Sequence, residues 1–427
     1  MPDSSASHAN TALREAVAAS GWTAVELLRA LNSTAAEVGL TVRYERTALA
    51  HWLRGSRPPP LIGDLLAETL GRRLGRPLSA VDLGLLGGRP TGPLGGHPVE
   101  ELAHLDTAPA RPYRLRSVLP SWPTHPLPPP TRPGARRVGT VQVQAVAALA
   151  ADAARHHNRF GGQVARALLL TPLTRHVPDW LRAPAGETDH RALLVHASAL
   201  CVVAARTYVD DGRHGTAQRY LHLARQLAEQ AQDAPARALA LRALSAQATL
   251  LGHHAHALEL ADAALMDATA GPPEVRAYVL VQQGICAAHL RDARRSHAAF
   301  DAAAALLSDS PPQQTGPGHD PGRTSYPRAA FHYQRALAET ALGRTRQALA
   351  AFERSLLVRA PDEHRPLALT RLHIARLLAM DGRLQQARHH ADEAWSLHGT
   401  LRSAVVTAER RRVDAAVAQG VRPRAER

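Results

Sequence analysis

Hydrophobic residues recur every three or four positions through most of this 427-residue chain, the spacing that lines one face of a helix. In TALREAVAASG, Leu13 and Val17 share a face, and Gly21 stops a helix of about three turns. From Thr23, a stripe of Val25, Leu28, Leu31, Ala35 and Val38 predicts a longer second helix that runs to a C-terminal cap at Gly39. A connector, LTVR, leads into RTALAHWLRGSRPPP (46–60). That stretch predicts a third helix from Tyr44 to Arg54, with Ala48, Leu49 and Trp52 inward and Arg46, Thr47, Ala50 and His51 outward. Gly55 ends it, and Pro58, Pro59 and Pro60 block its continuation. The same prolines start a fourth helix whose inward stripe is Leu61, Leu65, Leu66, Leu70 and Leu74. A last turn opens at Ser79, with Asp82 three residues on completing a capping box.

The periodicity then stops. Residues 87–137 include GGRPTGPLGGHP and PSWPTHPLPPPTRPG, which sustain neither helix nor sheet and read as a linker. Within it, RPYRLRSVLPSW offers Tyr113, Leu115, Val118 and Trp122 for docking on a neighbour, while Arg111, Arg114 and Arg116 read as solvated or phosphate-facing. Residues 138–420 are helical again and carry an internal repeat. The copies are DGRHGTAQRYLHLA, LGHHAHALELADAAL, LRDARRSHAAFDAAAALL, LGRTRQALAAFERSLL and DGRLQQARHHADEAW. Gly212, Gly252, Gly343 and Gly382 each precede an alanine by five residues, at Ala217, Ala257, Ala348 and Ala387; Arg291 and Ser296 stand in the third copy. Intervals of 40, 39, 52 and 39 residues separate these marks, the long one holding the surface-loop sequence SDSPPQQTGPGHDPGRTSYP. Each copy reads as a helix, a tight turn and a second helix, and five such hairpins make an α-solenoid. The expected fold is therefore all-α: a helical block at 10–86, a Pro/Gly-rich linker at 87–137 and a repeat domain at 138–420.

Composition adjusts this picture. Aromatics are only 4% of residues, which suits helices packed on alanine better than a twisted sheet. The net charge of +14 invites a polyanionic partner, but the chain has no lysine and its arginine content reflects a GC-rich coding vocabulary. Residues 1–90 hold ten arginines against eight acids, so the placement of charge matters more than its total. Cys201 and Cys286 are too few for a disulfide scaffold and read as core fillers in a reducing compartment. The most apolar stretch, ALLVHASALCVVAA (192–205), is shorter than a membrane span, so a cytoplasmic location without membrane insertion is expected.

Two resemblances give these elements a function. The N-terminal block, through TAVELLRALN and above all TALAHWLRGSRPPP, resembles the Cro and lambda-repressor helix-turn-helix family, with tryptophan, arginine and glycine closing the recognition helix. The resemblance implies that this helix enters the major groove of double-stranded DNA. Tyr44, Glu45, Arg46, Thr47, Ala48 and His51 then face base edges, and Arg43, Arg54 and Arg57 face phosphates. The family joins its second and third helices by a short turn, whereas STAAEVGLTV adds about ten residues here. Whether the third helix protrudes or becomes a core element depends on that insertion.

The repeats resemble the tetratricopeptide family, though with a longer period than its 34 residues and without most of its tryptophan and tyrosine signature. The resemblance implies a concave surface for a peptide, protein or small-molecule partner. The whole arrangement, with VGTVQVQAVAALAADAARHHNRFGGQVARALL (138–169) after the linker, is similar to actinobacterial regulators, some of which control sporulation and antibiotic production. A homodimeric transcriptional regulator is the expectation, and a protein-interaction adaptor without DNA contact is the alternative. The histidine pairs at 156–157, 253–256 and 389–390 lack a companion set of ligands and read as solvated rather than metal-binding. No P-loop, GxSxG, HExxH or dinucleotide fingerprint occurs, so neither a cofactor nor catalysis is expected.

Overall fold

A computed structural model describes residues 9–85, 97–105, 107, 112–115, 137–308 and 326–421. Among them the fold is all-α, its only extended pairing an isolated bridge between Val138 and Ala185.

The first helices are α1 (Thr11–Ser20), α2 (Ala24–Ala36), α3 (Arg46–Leu53) and α4 (Pro60–Leu74). Asn10 caps α1 by accepting from the Leu13 N–H at 2.9 Å, and its amide donates to the Leu83 carbonyl at 2.8 Å, tying the block's two ends together. Thr23 and Glu26 form a reciprocal capping box at the start of α2, and Ser79 and Asp82 form the expected one in the final turn. Leu13, Leu27, Leu31, Leu65, Leu66 and Leu70 make the centre of this core, which also holds Leu49 and Trp52. Three expectations need correction. The second helix ends at Ala36, not Gly39, because residues 37–39 turn and Gly39 adopts φ +77°. The third begins at Arg46 rather than Tyr44. Val25 and Leu61 lie exposed rather than in the inward stripes, since each stands in the first turn of its helix, short of the packed face.

The Pro/Gly-rich span is also not uniformly irregular. Residues 98–104 form α5 (Pro98–His104), with a proline at its first position and Val99 and Leu102 fully buried against the repeats. Val118, Trp122, Arg111 and Arg116 lie outside the described residues, as does nearly all of the loop in the third, longest interval.

The remainder begins with α6 (Thr140–Phe160), α7 (Gly162–Thr171), a π turn and α8 (Val177–Arg182). Five hairpins follow: α9 (Glu187–Asp210) with α10 (His214–Gln230), α11 (Ala234–Leu250) with α12 (His254–Ala268), and α13 (Pro273–His289) with α14 (Ala293–Ser308). Then come α15 (Arg328–Ala341) with α16 (Thr345–Leu357) and α17 (His364–Met380) with α18 (Leu384–Ser396), before a closing helix α19 (Ala404–Val421). Consecutive helices pack on one another in a solenoid-like stack. Every hairpin turn has the same chemistry. The N–H following the marked residue donates back to a carbonyl five positions upstream, from Arg213, His253, Asp292, Arg344 and Arg383, each at 2.9 Å. The marked residue itself is left-handed, with φ between +74° and +88° at the four glycines. Ala217, Ala257, Ala348 and Ala387 are fully buried, as is Ser296 in the third copy, where a larger residue would push the paired helices apart.

Helix α9, at 24 residues, is long and apolar enough to span a membrane by length and composition, because its helix extends past the apolar run at both ends. Most of it is buried among α6, α7, α10 and α11, which accounts for its composition.

The stack curves until its end meets its beginning. Helix α17 packs on α6, and the Arg402 N–H donates to the Phe160 carbonyl at 2.8 Å. The Gly161–Gly162 pair makes this meeting possible. A Cβ on Gly161 would stand 2.4 Å from the Arg402 carbonyl oxygen, and one on Gly162 would stand 2.6 Å from that of Thr207. Into the same corner points Asp210, fully buried, which accepts from the Gly162 N–H at 2.8 Å, from Ser403 Oγ at 2.7 Å and from Arg365 Nε at 2.8 Å.

Two substitutions test these constraints by chemical unfolding. Arg291 holds φ +65° without being glycine, so Arg291→Gly is expected to stabilise the protein by about 1 kcal/mol, the order of the left-handed penalty. Gly162→Ala is expected to cost about 1–3 kcal/mol through overpacking at the corner.

Candidate nucleic-acid interface

Helix α3 is anchored from below and open above. Leu49 and Trp52 point into the N-terminal core, and the Leu53 carbonyl accepts from the Asn10 N–H at 3.2 Å and from Arg14 Nε at 3.0 Å. Arg46, Thr47, Ala50 and His51 are all exposed on the opposite face. Residues at i and i+4 lie one turn apart, so this is a single two-row surface. Of the other candidates, Arg43, Glu45 and Arg57 are exposed. Arg54 is exposed too, but its guanidinium folds back, donating from Nε to the Ala50 carbonyl at 3.2 Å and lying 3.5 Å from His51 Nδ1. Tyr44 belongs to the support instead: half-buried, it meets the Trp52 ring edge-on at a centroid distance of 5.1 Å. Ala48 is half-buried as well.

The insertion is part helix and part strap: its first four residues, Ser33 to Ala36, lengthen α2, and the rest is neither helix nor tight turn. After Gly39 it runs extended to Glu45, with Leu40, Val42 and Tyr44 packed on the core and Thr41, Arg43 and Glu45 exposed. This two-residue alternation fixes the strap by its side chains and lets it deliver α3 with its outer face uncovered.

A joint of charged and aromatic groups fastens the block to the repeats through α4. Asp64, Glu68 and Arg72 share one face at four-residue spacing. Arg72 donates to Glu68 at 2.7 Å and to both oxygens of Glu37 at 2.5 and 2.9 Å. Burial works against the charge on Arg72, yet these carboxylates outweigh it and hold its pKa above the ordinary value. Its guanidinium also lies 5.9 Å from the centre of the Tyr113 ring. Tyr113, buried, stacks on His253 at 5.5 Å, and His253 Nε2 lies 3.4 Å from Glu68 Oε1. Arg114 pairs with Asp64 at 2.7 Å, and its backbone N–H and carbonyl are both bound by the Gln218 side chain on α10. Arg114 is thus an inter-domain pin rather than a solvated or phosphate-facing residue.

The reading of the histidine pairs as solvated holds for exposed His389 and fails for His157 and His253, which are 2% and 1% exposed. No group of three or more potential metal ligands gathers among the described residues. Sequence reasoning missed the joint because its partners lie about 185 residues apart, as Glu68 and His253 do. Its visible signals were the four-residue spacing of Asp64, Glu68 and Arg72 on an otherwise apolar helix and the expected docking of Tyr113, which is buried against His253.

Beside the joint is a cleft of about 810 Å³, lined on one side by Ala36, Val38 and Gly39, where the strap begins. Its other side carries Gln163, Arg166, Arg213 and Arg402 of the repeat domain.

Residues 13–86 match the SP15 N-terminal domain family. The match covers α1 to α4 and the capped turn after them, and therefore contains the exposed face of α3. No curated protein matches the chain.

Acid should loosen this region. Burial and the nearby Arg72 push His214, at the start of α10, from 6.5 to about 4. Its neutral form contributes fully above pH 6.5, and that contribution is lost as pH falls toward 4, since the unfolded chain binds the proton first. Unfolding in urea at pH 7.5 and pH 5 is expected to show His214→Gln relieving up to about 2 kcal/mol of the wild-type loss.

Proposed function

We propose that the protein is a transcriptional regulator that binds double-stranded DNA through α3 and a ligand or protein partner through its repeats. The observation that carries this reading is the single exposed face of Arg46, Thr47, Ala50 and His51 on a helix whose other face is locked by Leu49 and Trp52. A helix so held fits the major groove with its N-terminal residues on base edges, as in the Cro and lambda-repressor family that HWLRG resembles. Arg46 suits guanine and Thr47 suits either base or the thymine methyl, while Glu45 at the helix start suits the cytosine amine. Arg43, Arg54 and Arg57 supply phosphate contacts. Tyr44 supports Trp52 from beside the strap and is reassigned from contact to positioning.

One such module presents a small interface, so the regulator acts as a homodimer on paired half-sites. The left-handed turns of the five hairpins, with a buried alanine in four of them and Ser296 in the third, support a tetratricopeptide-like solenoid, whose inner surface or the cleft beside the strap receives the effector. An effector in that cleft would touch Ala36 to Gly39 and so bear on the strap that carries α3. On this reading the regulator is cytoplasmic and not an enzyme, and its resemblance to actinobacterial regulators implies a role in development or secondary metabolism.

The second reading, an adaptor that makes no DNA contact, draws on the nine residues (37–45) that separate α2 from α3 in place of a tight turn. Binding of full-length protein to genomic fragments across a salt series separates the two. The regulator shows sequence-dependent binding that weakens with salt, and Arg46→Ala reduces it about 5- to 150-fold at the preferred site, the cost of one lost base contact. Salt-dependent binding absent from every fragment, or unchanged in Arg46→Ala and Thr47→Ala, leaves the adaptor.

A further inference from the structure

The solenoid closes around a set of cations that its own carboxylates do not neutralise. Arg206, one turn before Asp210 on α9, is exposed, yet the surrounding protein desolvates it enough to lower its pKa. Both conditions hold together for a side chain that faces an interior space rather than the outer surface. Asp210, one turn along the same helix, pairs with Arg365 of α17 at 2.7 Å, and Arg242 of α11 lies 3.9 Å from the ring of Tyr278 on α13; these are the groups that act on Arg206 electrostatically. Tyr326, just before α15, is coupled in turn to Tyr278 and Arg242. Residues of the first, second, third and fifth hairpins, with Tyr326 at the head of the fourth, thus act on one another across the inside of the closed stack.

The charges there do not balance. Asp210 is committed to Arg365, to Ser403 and to the Gly162 N–H. The next carboxylates along the wall are committed too, Glu409 to Arg376 and Arg412, and Glu363 to Arg359 and Asn158. Arg206 makes no hydrogen bond or ion pair among the described residues. Arg242, 9% exposed, lies 3.9 Å above the Tyr278 ring and leaves its Nε without a hydrogen-bond partner. His157, 2% exposed and acted on by both Arg365 and Arg206, has neither ring nitrogen hydrogen-bonded, its Nε2 lying 4.0 Å from Asp210 Oδ2. Burying an uncompensated guanidinium is costly, and two in one chamber repel each other, so the arrangement gains free energy from any anion that enters. Stacking on Tyr278 holds the Arg242 plane so that its edge presents donors, the geometry by which arginine takes up a two-oxygen anion.

We infer that the axial chamber binds a small oxyanion, the phosphate or carboxylate group of a small molecule, between Arg206 and Arg242 with His157 beside them. This rests on the reading of the repeats as the effector-binding part and names the chemical class of the effector. Neither the DNA face nor the cleft beside the strap contributes a residue.

The test uses full-length protein with inorganic phosphate, pyrophosphate and succinate as probes, at ionic strength held constant with sodium chloride. Melting temperature and titration calorimetry are read together. At least one probe is expected to bind saturably and raise the melting temperature. Arg206→Met/Arg242→Met should weaken that binding at least tenfold while melting no lower than wild type without probe, because the unpaired cations are gone. Should the double variant fail to fold, Arg206→Gln alone is expected to weaken binding several-fold. A response to the phosphates alone assigns a phosphate ester, and one to succinate alone assigns a carboxylate. Arg46→Ala/His51→Ala should bind the probe as wild type does, so loss of DNA binding there leaves the chamber intact. The inference is overturned if no probe binds saturably, or if the arginine variants bind it with wild-type affinity, even where DNA binding persists.

Discussion

The buried carboxylate of Asp210 is the interaction on which the architecture turns. It belongs to the last turn of the first hairpin's leading helix, yet its partners come from α7, α17 and the start of α19. A solenoid whose repeats touched only their neighbours would have open ends and a stability summed from local terms. Here one carboxylate, three donors and a glycine corner join first repeat to last, so the stack becomes a closed body with an inside. The closure has a steric condition, met by two adjacent residues without side chains, and an electrostatic one, met by Arg365. Neither suffices alone, because close backbone approach around an unpaired buried carboxylate would be unfavourable.

Closure also explains why arginine is used as it is. The chain has no lysine, so every cation is a planar guanidinium that can stack as well as pair. Arg72 lies against Tyr113, Arg166 and Arg213 against Tyr208, and Arg242 against Tyr278. Aromatic residues are scarce, and several are spent holding arginines in place, at the joint between the parts and around the axis. The joint matters for the proposed function because it fixes α4, on which α1 and α2 pack, and α1, α2 and the strap hold α3. The cleft at the head of the strap lies between the repeats and the segment that leads into α3.

Much of this was legible in the chain. The periodicity of α1 to α4, the inward roles of Leu49 and Trp52, and the outward face of Arg46, Thr47, Ala50 and His51 follow from spacing alone. So did the repeat, since a glycine and an alanine five residues later are required by the hairpin turn in each copy; even the exception at Arg291 adopts the left-handed conformation its place demands. Misread positions were those where local rules compete with packing. Leu61 and Val25 are apolar in first turns that nothing covers, α5 is a short helix inside Pro/Gly-rich sequence, and His157 and His253 are polar residues sealed by distant elements.

The sequence by itself determined most of the helical segments, α5 excepted, where the hairpins turn and which face of α3 stays polar, because these depend on neighbours within about four residues. The tertiary structure alone decided the rest. That the insertion before α3 would become an alternating strap, that Glu68 would meet His253, and that Asp210 would be reached by Arg365 depend on residues tens to nearly two hundred positions apart. Curvature accumulated over five hairpins brings such residues together, and no local pattern encodes the place where a stack meets its own beginning.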